Sequence, residues 1–386
     1  MIPSRARRGR RVLRALAIAL LVPVAVAGAV AGAYVAYFFM DYHRLQDGAE
    51  QHSQNVNNRA PIGVETTVVT WNIGFGAYHR DFSFFMDGGT SGRADSQEAV
   101  AEAMDHIAAL LKAQAPDHLL LQEVDTRADR SWFINELDLL RAFFPQHQSY
   151  FARNYNSPYI IFPLNQPHGK AQSGLLTLSD RDIYRGERHT LPVEEGLMRV
   201  LDLDRCYTLS RIPTENGRQL CLYNLHLSAY TSDGTVATQQ LEKLTADMLS
   251  EYRKGNYCVA GGDFNKDLLG HSDRIFGVAP REGLTWNQPI ERDLIPEGLK
   301  LVESLDKRHP VPTCRDCDTG YVPGETFVVT VDGFIVSDNV QVSDCRVIDD
   351  GFTASNHNPV KLTFQLIEET EDLRYELGPY TALSGY

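Results

Sequence analysis

From residue 63 onward, short apolar runs alternate with helical stripes. Residues 65–73 (ETTVVTWNI) predict a strand. Residues 96–113 carry Val100, Met104, Ile107 and Leu111 at helical spacing and predict a helix. The apolar run 118–124 predicts a buried strand, and 131–144 a helix with Phe133, Leu137, Leu140 and Phe144 on one stripe. Strands are expected at 174–179, 205–212 and 219–227. A third helix is expected at 236–252, with Leu241, Leu244, Met248 and Tyr252 inward. A strand at 257–265 follows, then a loop-rich stretch, then strands at 326–336 and 360–366. Two packed sheets with helices outside satisfy this order, an α/β class.

The first 62 residues follow another pattern. Residues 15–40 are 26 consecutive uncharged positions, and about 20 apolar residues suffice to span a bilayer. Residues 1–14 hold six Arg and no acid, and Asp41, Asp47 and Glu50 follow the run. This asymmetry predicts a basic cytoplasmic tail, a transmembrane signal-anchor and a domain outside the cytoplasm. Tyr34 and Tyr37 suit an interfacial belt. The rival is a cleaved signal peptide, for which Ala25-Val26-Ala27 and Ala31-Gly32-Ala33 offer small-residue sites and which would leave the domain secreted. The apolar run exceeds a usual signal core of 7–15 residues, which favours the anchor. Residues 41–62, polar and rich in Asn and Gln, read as a linker, 63–367 as the folded domain, and 368–386 as a tail.

Composition sharpens this picture in one respect. Formal charge is -13, and without the six N-terminal Arg it is 31 basic against 50 acidic residues, or -19. Such a body does not draw polyanions from a distance, which weighs against long nucleic acid. The six cysteines fit an oxidising location. Cys206 and Cys221 flank a turn at Glu215-Asn216-Gly217 and are expected to meet across a hairpin as a disulfide. Cys314-x-x-Cys317, Cys345 and Cys258 read as disulfides or buried thiols; a zinc site would need His309 as a further ligand.

Polar residues interrupt the apolar strands in a set order. They are Asn72, then Gln122-Glu123, Asn224 with His226, Asp263 with Asn265, Asp332, and Ser355-Asn356-His357-Asn358. The strand period of two puts Asn224 and His226 on one face, and Asp263 and Asn265 likewise. Any one of these reads as a cap or a structural side chain. Together, acids, two His and several amides form the set that hard-metal phosphate chemistry uses.

The segments TWNIGFG, LLLQEVD, SGLLTLS, YNLHL, GGDFN, TVDGFIVSD and SNHNPV resemble the ordered signature of the endonuclease/exonuclease/phosphatase superfamily over roughly 63–367. The resemblance implies a four-layered α/β sandwich of two packed mixed sheets flanked by helices. It implies a hydrolase of a phosphodiester in nucleic acid, a phospholipid headgroup or a small phosphate ester. One fold hosts many substrates, so the motifs name none. By the same resemblance, Asn72 and Glu123 would hold Mg2+ (or Mn2+), with Asn356 beside them. His357 would be the general base, oriented by Asp332. Asp263 and Asn265 would position water and phosphate, and His226, helped by Asn224, would serve the phosphoryl oxygens. The implied partners are a phosphate-ester substrate and the membrane through 15–40; no protein partner is implied. The other reading is a catalytically silent, membrane-tethered binding protein on the same fold.

Two positions depart from the family pattern. Asn356 stands where an acid usually precedes the His, and Gly74 stands where some members carry an acid. Both imply a single or weaker metal site. The long Gly- and aromatic-rich loop 74–96 reads equally as an irregular surface loop or as a substrate-facing one. Arg153-Asn154-Tyr155 and Lys170 are further candidates for phosphate contacts.

Overall fold

The computed structural model describes residues 5–51, 56–194, 204–229, 235–282, 284, 286–304, 306 and 308–368. The tail expected at 368–386 lies outside the described residues beyond Glu368. The chain divides into two units, at His43 and Arg44.

The first unit is built on one helix, α1 (Arg5–Asp41). Its segment Gly9–Asp41 is long and apolar enough to cross a membrane, and among the described residues it is the one helix of this kind. The span expected at 15–40 falls inside it.

The second unit is two packed sheets with helices outside. The seven-stranded sheet runs β1 (Gly48–Gln51), β6 (Arg185–Thr190), β7 (Cys206–Pro213), β8 (Gln219–His226), β9 (Tyr257–Asp263), β13 (Asp332–Ser337) and β10 (Leu299–Val302). The six-stranded sheet runs β14 (Val340–Val347), β15 (Val360–Leu366), β2 (Thr66–Asn72), β3 (His118–Asp125), β5 (Gln172–Ser179) and β4 (Gln148–Asn156). A ribbon of β11 (Cys314–Arg315) and β12 (Val328–Val329) stands apart. Both sheets are mixed: β2 and β3 are parallel, as are β8 and β9, and the other neighbours are antiparallel.

Alternation along the strands assigns the layers. Val68 and Leu120 face Leu222, Val259 and Phe334 in the core between the sheets. Their neighbours Val69, Leu119 and Leu121 face outward, against Val100, Met104, Ile107 and Leu111 of α2 (Gln97–Ala113) and Leu137 and Leu140 of α3 (Glu136–Phe143). On the other side, Tyr223, Leu225 and Ala260 pack on Leu241, Leu244 and Met248 of α4 (Thr235–Arg253). Ser96 caps α2 by accepting from Ala99 N. A short α5 (Ser272–Phe276) follows β9.

Four expectations differ. The helix expected at 131–144 begins only at Glu136, capped by Asn135, and Phe133 is 60% exposed rather than on the inner stripe. The strand expected at 326–336 breaks into β12 and β13 at Thr330-Val331, where Phe264 and Leu268 take up the backbone carbonyls instead. Within the stretch read as a linker, Gly48–Gln51 adds an edge strand to β6. Cys206 and Cys221 are not cross-strand partners. The register sets Cys221 opposite Arg211 and beside Cys258, and Cys206 opposite Thr190. All six cysteines are free thiols, five of them buried.

Candidate active site

The site lies at one end of the sandwich, where β2, β3, β8 and β9 end and the antiparallel β13 begins. Register fixes the core of it. His226, Asp263 and Asp332 are lateral neighbours on three adjacent strands. Gly261 makes the close approach of the sheets feasible there: a Cβ on it would lie 2.4 Å from Phe334 and 2.9 Å from Leu120.

His357 comes from a loop, and the ribbon delivers it. Cys314 bridges to His357, Asn358 N donates to Thr313 O at 2.7 Å, and Arg315 N donates to Asn356 O at 3.0 Å. The Thr313 hydroxyl also accepts from Val331 N and Asp332 N. One short strand therefore positions both Asp332 and His357. Trp71 Nε1 donates to His357 O at 2.8 Å, and Ser355 Oγ accepts from His357 N.

The imidazole of His357 donates from Nδ1 to Asp332 Oδ2 at 2.7 Å. Its Nε2 lies 3.7 Å from Asp263 Oδ2 and 3.5 Å from Cys314 Sγ. His226 Nε2 approaches the same Asp263 oxygen at 3.5 Å. Asn72 Nδ2 donates to Asp263 Oδ2 and Glu123 Oε1, both at 3.1 Å, so one amide joins the two acids. Asn265 N donates to Asp263 Oδ1, and Asn265 Nδ2 to Leu227 O. Glu123 and Asn265 both hold positive φ, 56° and 46°, and Glu123 sits in the irregularity between Leu121 and Val124. Non-glycine residues held there are strained, and the bulge turns Glu123 into the cleft.

Burial and charge split the two imidazoles. Burial alone would lower the pKa of His357, but Asp332, Cys314 and Asp263 hold it well above the ordinary value. His226 is pushed well below, by burial and by the cations Arg205, His357 and Arg130. Burial raises Asp263 to about 6, opposed by His357 and helped by Asp332. Charge and burial thus push the two imidazoles in opposite directions.

The residues fit a hard divalent cation. The Glu123 carboxylate and the Asn72 amide, 3.1 Å apart from Oε1 to Nδ2, offer hard oxygen donors, and Asp263, Asp332 and His357 form an adjoining group whose donor atoms lie within 4.8 Å of one another. Among the described residues, the buried Asp332 Oδ1 has no hydrogen-bond partner. Glu123, Asn72 and Asn356 line the same cleft. Among the described residues, no such grouping includes a cysteine or His309, and His309 is exposed and paired with Asp306.

Most of the expected residues meet in this cleft: Asn72, Glu123, His226, Asp263, Asn265, Asn356 and His357 line it, with Asp332 buried behind His357. Asn224 does not. It is wholly buried, donating to Leu121 O and Leu176 O and accepting from Gln122 Nε2, so it ties the sheets together beneath the site. Of the further phosphate candidates, Asn154 and Tyr155 reach the cleft. Arg153 and Lys170 do not line it; Lys170 lies by Arg127 in a separate surface cavity. Gly74 has φ +55°, and a Cβ there would meet Tyr78 Cδ2 at 2.7 Å and Asn356 Oδ1 at 3.2 Å, so a carboxylate at this position has no room.

Sequence reasoning passed over three cleft cations. Arg130 is held bidentately by Asp125 and stacks 3.8 Å from the Phe75 ring centre. Arg205 lines the cleft beside His226. Arg315 is fully buried and donates to Asp316 O, Thr319 O, His79 O and Phe82 O, which fastens the loop 74–96 to the ribbon. That loop supplies Tyr78, Phe84, Met86 and Asp87 to the cleft, and Trp286 faces it too.

Comparison with known proteins follows the geometry. The Endonuclease/Exonuclease/phosphatase family model matches residues 69–325. No curated protein matches the sequence. A solved endonuclease/exonuclease/phosphatase from Beutenbergia cavernae DSM 12333 is 17% identical, with a TM-score of 0.53 over 78% of this chain and 72% of that one. The one from Bacteroides vulgatus is 15% identical, with a TM-score of 0.50 over 78% and 99%. ANGEL2, described as a 2',3'-cyclic phosphatase in complex with adenosine-2',3'-vanadate, is 15% identical, with a TM-score of 0.53 over 84% and 99%. At these identities the structures share the fold. Members of the matched family are phosphoesterases that generally use divalent metal ions. With two thirds of its length under that family's model, this chain belongs to the endonuclease/exonuclease/phosphatase family.

Proposed function

We propose that this chain is a hydrolase of a phosphodiester or other phosphate ester that works with Mg2+ or Mn2+, outside the cytoplasm. One observation carries the reading: two imidazoles whose pKa values are pushed in opposite directions face a single carboxylate oxygen, Asp263 Oδ2, at 3.5 and 3.7 Å. Glu123 and Asn72 would hold the cation, with Asn356 beside them, and a bound divalent ion would neutralise charge on the phosphoryl oxygens. His357 takes the proton of the attacking water at Nε2, with its tautomer fixed by Asp332. It can do so only after losing its own proton, which positive charge beside Asp263 favours. Asp263 and Asn265 orient the water. Neutral His226 donates to a phosphoryl or leaving oxygen, and Arg130 and Arg205 add positive charge to the cleft.

The test is a panel of DNA, RNA, phospholipid, cyclic nucleotide and inositol phosphate substrates, with magnesium and with chelator. Hydrolysis of at least one substrate that stops on chelation is expected. Activity that survives exhaustive chelation overturns the metal-dependent reading. A full panel without turnover favours the binding-protein reading, to which Asn356 is the feature that points.

A further inference from the structure

Within the second unit, the described large apolar side chains that are exposed are few, and four of them fall within six residues: Tyr159 at 39%, Ile161 at 47%, Phe162 at 56% and Leu164 at 77%. Single exposed apolar residues need no explanation, but a cluster does. From Asn154 to Gly169 the chain has no Asp, Glu, Lys or Arg. The segment is a built hairpin. Ile160 and Gly169 exchange backbone hydrogen bonds at 3.0 Å, Gln166 N donates to Pro163 O, and His168 N donates to Phe162 O. Ile160 is buried, and His168 anchors the base against Gly92 O at 2.7 Å. The fold thus holds Ile161, Phe162 and Leu164 outward on a fixed support.

This hairpin adjoins the cleft. The Phe162 ring lies 5.6 Å from that of Phe85, whose neighbours Phe84 and Met86 line the cleft. Beside its base, Arg127, Lys170 and Asp129 share a surface cavity with Phe133, itself 60% exposed. An apolar tip free of charged residues, an aromatic shoulder and a net-positive cavity of two cations and one acid complement the interface of a bilayer with anionic headgroups. Four side chains fall far short of the ~800 Å2 per partner of a stable protein interface. A surface contact on a chain that also carries a membrane anchor needs little area, because the anchor supplies the effective concentration. The same chain carries α1, which is apolar and long enough for that task.

We infer that the hairpin 157–168 is a lipid-surface contact that sets the mouth of the cleft against a membrane, so that the site takes phosphate esters of lipid headgroups. The second half rests on the proposed phosphoesterase activity; the first does not. The test uses the full chain reconstituted in vesicles of phosphatidylcholine with a minor share of phosphatidylglycerol. Leu164→Trp is compared with the parent protein by fluorescence. The added tryptophan should emit to the blue and be quenched by lipids brominated near the top of the acyl chain. Emission at the wavelength of a water-exposed indole overturns the contact. A blue shift without lipid quenching also overturns it and assigns the tip to a protein partner or a second copy. For the substrate, Ile161→Ser combined with Phe162→Ser and Leu164→Ser should lower kcat/KM on vesicle phospholipid by roughly tenfold, because interfacial binding scales with buried apolar area. Hydrolysis of soluble bis(p-nitrophenyl) phosphate should not change. Equal loss on both, or loss on neither, overturns the lipid assignment. If the parent hydrolyses nothing, the phosphoesterase reading fails, and the quenching result still decides the contact.

Discussion

Asp263 and Asp332 are register partners on antiparallel neighbours β9 and β13, and both carboxylates converge on the one imidazole of His357. Asp332 foremost, with Cys314 and Asp263, raises the pKa of His357 well above its ordinary value despite full burial. Asp332 also fixes the tautomer that leaves Nε2 to face the cleft. Asp332→Asn keeps the shape but loses the charge and lets the ring turn. The expected outcome is a loss of roughly 100-fold or more in kcat with the fold retained, the range assigned to general-base catalysis. Steady-state kinetics beside circular dichroism decide it; a loss below threefold means that His357 is not the base.

Arg315 is the residue whose removal should reach the cleft from a distance. Its four donated hydrogen bonds end on backbone carbonyls, two of them in the loop 74–96. Arg315→Ala removes the guanidinium donor from all four, with His79 O keeping only Phe82 N, at a cost of about 3 kcal/mol or more. The loop bearing Tyr78 and Phe84 should loosen, so KM should rise more than kcat falls. Limited proteolysis reads the same event, with new cleavage between residues 79 and 95. An unchanged digestion pattern means that the loop is held by its aromatic packing instead.

How much of this was visible in the sequence depends on which contacts are local. Strands and helices with a clean period, such as β2, β3, α2 and α4, lie within two residues of their expected bounds, because burial on a known face dictates the spacing. Asn72, Glu123, His226 and Asp263 were legible for the same reason: each ends an apolar strand, and parallel strands end together. Arg130, Arg205 and Arg315 were not, because no period marks a residue that reaches the cleft from a loop. Asn224 shares its strand face with His226, yet two residues back along β8 that face lies between the sheets. Alternation gives the face, and only the packing gives the depth. The Cys206–Cys221 pairing failed on register, since a turn signal does not say how many residues the strands extend.

Two buried histidines away from the cation ligands predict an acid limit. Burial pushes His118 down to about 4 and His168 to about 3. Both folded values are depressed below the unfolded value of about 6.5. The unfolded chain therefore binds more protons than the folded one between these values. The stability involved is fully present above about pH 6.5 and is lost as pH falls toward 4. The two losses add, at up to about 1.4 kcal/mol per pH unit for each group. Urea midpoints of the detergent-solubilised chain at pH 7.5, 6, 5 and 4.5 should fall progressively in roughly that proportion. His168→Gln should flatten the slope; an unchanged slope assigns the acid limit to other groups.

The apolar segment of α1 makes a prediction independent of catalysis. If residues 15–40 stay in the bilayer, the full-length protein remains in the membrane fraction through an alkaline carbonate wash. Protease added outside intact cells then removes the domain and spares the Arg-rich end, in line with the charge asymmetry around the helix. A soluble mature protein whose first residue is Gly28 or Tyr34 shows a cleaved signal instead.

The family resemblance implies an acid at the position of Asn356, and the surroundings of Asn356 give that expectation a measurable consequence. The side chain lines the cleft with Asn72 and Glu123, and its Oδ1 lies 3.2 Å from the Cβ position of Gly74. Asn356→Asp restores a negative charge in nearly the same volume. At ~4–6 Å from a cation, such a charge interacts by a few kcal/mol before desolvation is subtracted. The net gain is about 1 kcal/mol, or a factor of roughly five to ten in metal affinity. The added carboxylate also favours protonated His357, which Asp332 and Asp263 already favour. The rising limb of the pH–rate profile reports loss of that proton, so it should move to higher pH. Both effects are expected together in a matched titration of the two proteins: a lower magnesium concentration at half-maximal rate, and a later rise with pH. A shifted pH profile with an unchanged magnesium requirement places Asn356 near His357 but beyond reach of the cation, which would leave Glu123 and Asn72 to hold it without help from the loop.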